Sequence, residues 1–230
     1  MDCLEGMKLI PDESIDMILC DLPYGTTQNR WDSIIPFELL WEQYKRIIKP
    51  NAAIVFTSMQ PFTTDLIQSN RKMFRYSLVW SKNEVTGFLN AKKQPLRSHE
   101  DILVFYQKQP TYNPKMTQGK NVLKGTGRAS SNYDTFTFKP HYSELYYPKS
   151  IIEIPQQRVK GGHPTQKPVA LFEYLIKTYT NEGETVLDNC MGSGTTAIAC
   201  INTNRNYIGF ELSEEYCKIA EERIRKAEVR

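Results

Sequence analysis

Two polar stretches come directly after hydrophobic runs, at positions where their side chains could do chemistry together. The first is "DLPY", residues 21–24, and the second is "DNCMGSGTT", residues 188–196. Aspartate, proline and glycine are poor strand formers, so each stretch should end a strand and arrange polar groups at its tip. Gly192 and Gly194 would let a ligand approach the backbone closely, and free amides at a helix start favour an anion.

Glu211 adds an acceptor to the glycine-rich tip. It lies near the end of the predicted strand "NYIGFEL", seventeen residues after Gly194, where a carboxylate can accept hydrogen bonds from both hydroxyls of a ribose. Together these features predict a cofactor that contains adenosine. They leave its identity open, because GxGxxA is also a dinucleotide fingerprint. A P-loop is disfavoured, since no lysine follows the second glycine.

The elements that must position these tips alternate along the chain, as is typical of buried parallel strands joined by crossover helices. The predicted strands are 14–20, 51–58, 75–81, 100–107, 184–190 and 206–212. The predicted helices are 36–49, 61–70, 168–180, 194–204 and 213–229, the last with Ser213 as its N-cap. The pattern indicates a doubly wound α/β sheet. It is broken at residues 108–155, a stretch rich in proline and glycine that we interpret as an inserted irregular module.

Length and composition narrow the class of protein. The 230 residues, 40% of them hydrophobic, can bury a full core. No apolar run approaches the roughly 20 residues that cross a bilayer, and Met1 is followed by Asp2 and Glu5 rather than a basic leader, so we expect a cytoplasmic protein. The five cysteines form no CxxC pair, which argues against a zinc site and a disulfide framework and favours buried thiols.

Positive charge is concentrated in one region of the chain. From Lys82 to Arg128 there are nine Lys and Arg against three acids, although the whole chain carries only +3. Aromatic residues are interleaved with these cations and continue beyond them. Cations that meet phosphates beside rings that stack on bases indicate a nucleic-acid surface. The expected phosphate contacts are Lys92, Lys93, Arg97, Lys115, Lys120, Lys124 and Arg128.

Three motifs of the sequence resemble those of a known family. "DLPY" is similar to the D-P-P-Y signature of the amino-group DNA methyltransferases, "DNCMGSGTT" to their S-adenosylmethionine loop, and "GGHPTQKP", residues 161–168, to the segment before their cofactor-side helix. The order along the chain, with the catalytic motif first, the basic insertion next and the cofactor loop last, is that of the circularly permuted β class. The resemblance implies a catalytic half at 1–107, a target-recognition region at 108–155 and a cofactor-binding half at 156–230.

The resemblance also implies roles for the catalytic residues. The Asp21 carboxylate and the Leu22 carbonyl would accept the two hydrogens of a base amine, Pro23 would keep their link rigid, and Tyr24 would stack on the flipped base. Leu22 departs from the family pattern by replacing the first proline, which leaves the loop less constrained. The loop at 26–32 is expected to close over the base. No metal is needed for this reaction.

The cofactor contacts implied by the resemblance lie mostly in the second half of the chain. Lys167 would approach the cofactor carboxylate. Asp2 would lie near the cofactor's adenine, although the strand that the family has before this aspartate is absent. We interpret His163 as a packing residue. The full expected set is Asp2, Asp21, Lys167, Asp188, Cys190, Gly192, Ser193, Gly194, Thr195 and Glu211.

The resemblance implies adenine as the target base, because family members with an acid at the first position of the D-P-P-Y motif, here Asp21, mostly methylate adenine. Cytosine-N4 stays an alternative. Methylation at carbon 5 of cytosine is disfavoured, because it needs a cysteine usually presented as Pro-Cys, which this chain lacks. Two other classes stay open: a nicotinamide-dependent oxidoreductase and a non-catalytic nucleic-acid-binding protein. The expected partner is double-stranded DNA, with a homodimer and a cognate restriction endonuclease as further partners suggested by the family.

Overall fold

The computed structural model describes residues 1–26, 32–125, 139–156 and 166–229. The chain forms two compact units. The larger comprises Met1–Asn113 and Ser150–Arg230, and the smaller comprises Pro114–Lys149.

A sheet of seven strands organises the larger unit. In the described residues the strands of the chain are β1 (Ile15–Cys20), β2 (Ile48–Ser58), β3 (Phe74–Thr86), β4 (Arg97–Phe105), β5 (Thr117–Lys124), β6 (His141–Tyr146), β7 (Ile151–Glu153), β8 (Thr185–Asp188) and β9 (Asn206–Gly209). The sheet has the order β7-β3-β4-β2-β1-β8-β9. Strand β4 runs antiparallel to both of its neighbours, and every other pairing in this sheet is parallel.

Helices cover both faces of this sheet. Successive side chains of a strand point to opposite faces, so strands that are apolar throughout must be covered on both sides. Their bounds are α1 (Cys3–Met7), α2 (Phe37–Ile47), α3 (Phe62–Ser69), α4 (Val169–Tyr179), α5 (Thr195–Asn202) and α6 (Glu214–Glu228). In β1, Ile18 and Cys20 pack in one core cluster with side chains of α1, α2 and α3. Met17 and Leu19 pack in a second cluster with side chains of α4 and α5. The predicted doubly wound, mostly parallel α/β sheet is confirmed.

The predicted strands and helices of the larger unit are all present, with ends that shift by at most five residues. Ser213 caps α6 as predicted, its hydroxyl accepting a hydrogen bond from the Tyr216 amide at 3.4 Å. Strand β3 extends five residues beyond its predicted end, from Ser81 to Thr86. Helix α1 was not predicted, nor was the short 3₁₀ helix Phe88–Asn90.

The stretch from 108 to 155 contains three strands in its described part. Strands β5 and β6 pair antiparallel in the smaller unit, and β7 joins the main sheet beside β3. Its role as a target-recognition region stays a prediction. Within the part of the chain that the structure describes, no helix is long and apolar enough to cross a membrane.

Candidate active site

The two predicted tips lie at the same edge of the sheet, because β1 and β8 are adjacent parallel strands. Ile18 of β1 aligns with Leu187 of β8, so Asp21 and Cys190 each come three residues later on neighbouring strands. Strand β9 lies beside β8, with Gly209 aligned to Asp188. We name residues 21–24 the catalytic tip, after the role predicted for them, and residues 188–196 the glycine-rich tip. Since neighbouring strands are about 4.8 Å apart, the catalytic tip, the glycine-rich tip and the end of β9 follow one another along this carboxyl edge.

Asp21 is held by donors from three parts of the chain. Its Oδ1 accepts hydrogen bonds from the Tyr24 hydroxyl at 2.7 Å and from Thr57 Oγ1 at 2.5 Å. Its Oδ2 accepts one from Lys167 Nζ at 2.7 Å. Leu22 is buried and Pro23 is half-buried. A carboxylate offers about four lone-pair directions, so Asp21 can still accept a hydrogen from an incoming amine.

Lys167 is buried between two carboxylates. Its Nζ lies 2.7 Å from Asp21 Oδ2 and 3.3 Å from Glu100 Oε2, the second contact being an ion pair without hydrogen-bond geometry. Glu100 is itself buried and also pairs with Lys82. Burial opposes the charge of Lys167, but the carboxylates of Asp21 and Glu100 outweigh it and raise the pKa of the amine. The lysine is therefore a fixed positive charge beside the catalytic tip.

Tyr24 presents a half-buried ring beside this network. The ring stacks on Phe62 of α3, with centroids 5.1 Å apart and an interplanar angle of 27°. Burial first, then the charges of Asp21 and Glu100, raise the pKa of the Tyr24 phenol well above its ordinary value. The hydroxyl therefore stays protonated and donates to Asp21. Stacking of Tyr24 on a flipped base remains a prediction.

The backbone of the glycine-rich tip is open at one of the two glycines that the sequence singles out. Gly192 has φ of +51°, and a Cβ added there would meet nothing within 4 Å. Gly194, with φ of +81°, precedes α5 and packs against Ala220 of α6, where an added Cβ would lie 3.1 Å from the Ala220 Cβ. A ligand can thus approach the backbone at Gly192, whereas Gly194 serves close packing between helices.

Side chains around this tip support its shape. Ser193 is buried; its hydroxyl donates to Gln166 Oε1 at 3.0 Å and accepts from Arg223 at 2.6 Å. Asp188 accepts hydrogen bonds from the Cys190 amide at 3.0 Å and from the Thr196 hydroxyl. Burial raises the pKa of Asp188 to about 6, although both of these hydrogen bonds lower it. Thr195 is buried and Cys190 is half-buried.

Glu211 stands beside Gly192 at the end of β9. Its Oε2 accepts from the Gly192 amide and its Oε1 from the Ser213 amide, both at 2.8 Å. The Met1 amine lies 2.7 Å from the Glu211 carbonyl, which brings Asp2 to the same edge. Asp2 is exposed and caps α1 by accepting from the Leu4 amide at 2.8 Å. The cap is a structural role; contact with a cofactor adenine remains a prediction.

The predicted DNA contacts lie in three places. In the larger unit, Lys92 and Lys93 are exposed on the connection between β3 and β4, and Arg97 is exposed as the first residue of β4. The smaller unit carries Lys115, Lys120 and Lys124. Arg128, His163 and most of the loop at 26–32 lie outside the described residues. Among the residues that are described, no group of three or more His, Cys, Asp or Glu could hold a metal ion.

Two polar residues at the catalytic tip, Thr57 and Glu100, were not predicted from the sequence. Thr57 is a polar residue at the end of the hydrophobic run "NAAIVFTS", and its position at a strand tip was a usable signal. Glu100 had no such signal, because it lies near the start of its strand. Strand β4 is antiparallel, so its first residues share an edge with the last residues of β1 and β2.

Comparisons with known proteins show the family of this chain. The sequence profile of the N6_N4_Mtase family, described as DNA methylase, matches residues 15–222. The DNA adenine methyltransferase YhdJ of Escherichia coli K12 is 30% identical, with 97% of this chain and 80% of YhdJ covered. The type II methyltransferase M.HpaI of Haemophilus parainfluenzae is 29% identical, with 97% of this chain and 72% of M.HpaI covered.

Solved structures share the fold. The crystal structure of the M1.HpyAVI–SAM complex has a TM-score of 0.65 and 24% identity, covering 97% of this chain and 96% of that one. The cytosine-N4-specific PvuII DNA methyltransferase has a TM-score of 0.69 and 15% identity, covering 100% and 90%. At these identities the likeness concerns the fold alone.

Proposed function

The chain belongs to the DNA methylase family, and from this premise we propose that it transfers a methyl group from S-adenosylmethionine to the exocyclic amino group of adenine in duplex DNA. Membership of this family removes the support for a nicotinamide-dependent oxidoreductase. The adenine target is supported by the relative YhdJ, which is named as a DNA adenine methyltransferase. The fold likeness to a cytosine-N4-specific enzyme carries no information about the base.

One observation carries the proposal: Asp21 and the Gly192–Glu211 contact are on adjacent strand tips of one sheet edge. A base amine beside Asp21 and a cofactor over the glycine-rich tip would therefore be neighbours. Placing two reactants side by side removes much of the entropic cost of a bimolecular reaction. Tips on opposite edges would have ruled this chemistry out.

The glycine-rich tip fits the cofactor. The space above Gly192 is open, the start of α5 offers backbone amides, and the Glu211 carboxylate retains lone pairs for ribose hydroxyls. Lys167 is the expected partner of the cofactor carboxylate. When bound, S-adenosylmethionine supplies a methyl group on a positively charged sulfur, which is open to attack by a weak nucleophile.

The residues of the catalytic tip would prepare that nucleophile. The lone pair of an exocyclic amine is delocalised into the base ring, so the nitrogen must become more pyramidal before it attacks. Asp21 accepts one amine hydrogen and the Leu22 carbonyl accepts the other, which favours that change. Three donors hold the Asp21 carboxylate in one orientation, so little reorganisation is needed when the amine arrives.

The substitution Asp21→Asn tests the reaction directly. It keeps the shape of the side chain but removes the charged acceptor, and we expect methyl transfer to fall at least about a hundredfold, as when a preorganised polar group is removed from an active site. Calorimetry of S-adenosylmethionine binding separates this loss from a loss of the cofactor contact that the resemblance assigns to Asp21. Asp12→Asn, an exposed aspartate that leads into β1 at the opposite edge, is the matched control.

The base and the site are read from genomic DNA after expression in a methylation-deficient host. N6-methyladenine in one short sequence is expected from the wild-type protein and none from Asp21→Asn. N4-methylcytosine would replace the proposed base. An Asp21→Asn protein that methylates as fast as wild type would overturn the proposed catalytic role.

The remaining partners are proposed on the family resemblance alone. We propose a homodimer, a cognate restriction endonuclease as functional counterpart, and a cytoplasmic location. The oligomeric state is measured by light scattering at several protein concentrations, where a single monomer mass throughout would remove the dimer.

A further inference from the structure

The connection between β3 and β4 carries two exposed apolar side chains. Phe88 is 67% exposed and Leu89 is 101% exposed, the highest value among the large hydrophobic residues described. They stand on a folded turn: Gly87 has φ of +92°, the Asn90 amide donates to the Gly87 carbonyl at 2.9 Å, and the Ala91 amide donates to the Phe88 carbonyl at 3.1 Å. A folded backbone therefore presents both side chains to solvent. We name residues 85–97 the hairpin tip.

The charged residues of the hairpin tip are all cationic, and Glu84 comes directly before it. The hairpin tip contains Lys92, Lys93 and Arg97 and no acidic residue. All three cations are exposed. An apolar protein partner is poorly matched to such a rim, whereas DNA offers phosphates to the cations and an apolar base stack to the two side chains.

The hairpin tip lies at the carboxyl edge of the sheet. Strands β3 and β2 both run antiparallel to β4, so β3 ends at the edge where β1 and β2 end. Arg97 Nη1 lies 2.8 Å from Met59 Sδ, directly after β2. Three residues beyond Arg97, Glu100 is ion-paired to Lys167, which contacts Asp21. At about 3.3 Å per strand residue, Arg97 is roughly 10 Å along β4 from Glu100.

We propose that Phe88 and Leu89 form a wedge that enters the DNA base stack beside the target adenine and occupies the space that the flipped base leaves. The inference rests on the proposed function, because only an enzyme that acts on an extruded base needs such a wedge. Apolar side chains of this kind unstack base steps in other DNA complexes. Lys92, Lys93 and Arg97 would hold the adjacent phosphates while the step opens.

The test compares a closed duplex with one that is already open. The double variant Phe88→Ala/Leu89→Ala and the control Leu9→Ala are assayed on the methylated sequence found in the genomic experiment. Leu9 is also exposed, at 75%, and leads into β1 at the opposite edge. One substrate is the normal duplex, and the other has an abasic site opposite the target adenine. A third duplex carries 2-aminopurine at the target position and reports flipping by fluorescence.

We expect the double variant to methylate the normal duplex at least about tenfold more slowly, and to show a weaker 2-aminopurine signal, because it no longer stabilises the open step. On the abasic duplex it should approach wild-type rate. Equal loss on both substrates, or no loss on either, would overturn the wedge. A shift in oligomeric mass with normal flipping would assign the hairpin tip to a protein interface instead. If the wild-type protein methylated neither duplex, the result would contradict the proposed function itself.

Discussion

Asp21 illustrates how the site is assembled from distant single residues. Its partners come from its own loop (Tyr24), from the end of β2 (Thr57) and from the segment before α4 (Lys167). Lys167 is in turn shared with Glu100, which also pairs with Lys82. Two carboxylates and two lysines therefore form a charge-balanced cluster, and this balance is what allows charged groups to be buried next to a catalytic tip.

Asp188 gives a prediction about pH. Its ordinary pKa of 3.8 is raised to about 6 in the fold, chiefly by burial. Below pH 3.8 the carboxyl is protonated in both states. As pH rises further, the unfolded chain releases its proton first, so unfolding becomes more favourable until the native carboxyl ionises near pH 6. The free energy of unfolding should therefore lose on the order of 2 to 3 kcal/mol from this residue across that window.

The measurement compares wild type with Asp188→Asn, which has no proton to lose. Urea unfolding between pH 3.5 and pH 7 gives two curves, and subtracting them removes the contribution of all other titrating groups. The wild-type curve should fall relative to the variant curve between about pH 4 and pH 6 and run parallel to it above. Curves that stay parallel throughout would contradict the raised pKa.

Residues at strand tips were predictable from the sequence, but residues that enter from other directions were not. Asp21, Gly192 and Glu211 each follow a hydrophobic run, and parallel strands place such residues at one edge. Glu100 comes before its run and reaches the same edge only because β4 is antiparallel. Strand direction depends on the partners a strand finds, which a single run of residues does not encode.

At the scale of elements, the packing of α5 against α6 depends on one glycine. Gly194 precedes α5 with φ of +81°, and a Cβ there would lie 3.1 Å from the Ala220 Cβ and 3.3 Å from its Cα. Gly183, in the turn before β8, has the same φ of +81° with nothing within 4 Å of an added Cβ. The two positions share their backbone strain and differ in their neighbours.

Alanine at each position separates strain from packing. Gly183→Ala should cost roughly 1 to 2 kcal/mol of unfolding free energy, the cost of a left-handed conformation for a residue with a side chain. Gly194→Ala should lower the free energy of unfolding by about 1 kcal/mol more than Gly183→Ala, because α6 must move to admit the methyl group. Thermal and urea unfolding of both variants measure the difference. Equal losses would show that α6 yields freely at Ala220.

Elements with a clear hydrophobic period were predicted, and elements stabilised by their neighbours were missed. Helix α1 has five residues, too few to show a period, and is held by the Asp2 cap and by Gly6 packed on Phe210. Strand β7 has three residues and exists through its pairing with β3. In the smaller unit, the eight residues of β5 are mostly exposed and alternate weakly, so composition alone suggested an irregular segment.

At the scale of the whole molecule, the sheet separates two edges with different tasks. The carboxyl edge carries Asp21, the glycine-rich tip and the hairpin tip. The segments that lead directly into β1, β2 and β3 lie at the opposite edge, and they carry exposed lysines of their own, including Lys8, Lys45 in the last turn of α2, and Lys72. The net charge of +3 is too small to attract DNA from any direction, so binding should depend on where the cations are rather than how many there are.

Salt dependence tests this asymmetry. The triple variant Lys92→Gln/Lys93→Gln/Arg97→Gln and the control Lys8→Gln/Lys45→Gln/Lys72→Gln both reduce the net charge from +3 to zero. Each phosphate contact contributes about 0.9 to the slope of log affinity against log salt, so the first variant should lower the slope by about 2 to 3. The control should keep the wild-type slope, because its lysines lie at the opposite edge of the sheet. If both variants lowered the slope equally, net charge alone would govern binding, and the hairpin tip would not be the DNA-binding surface.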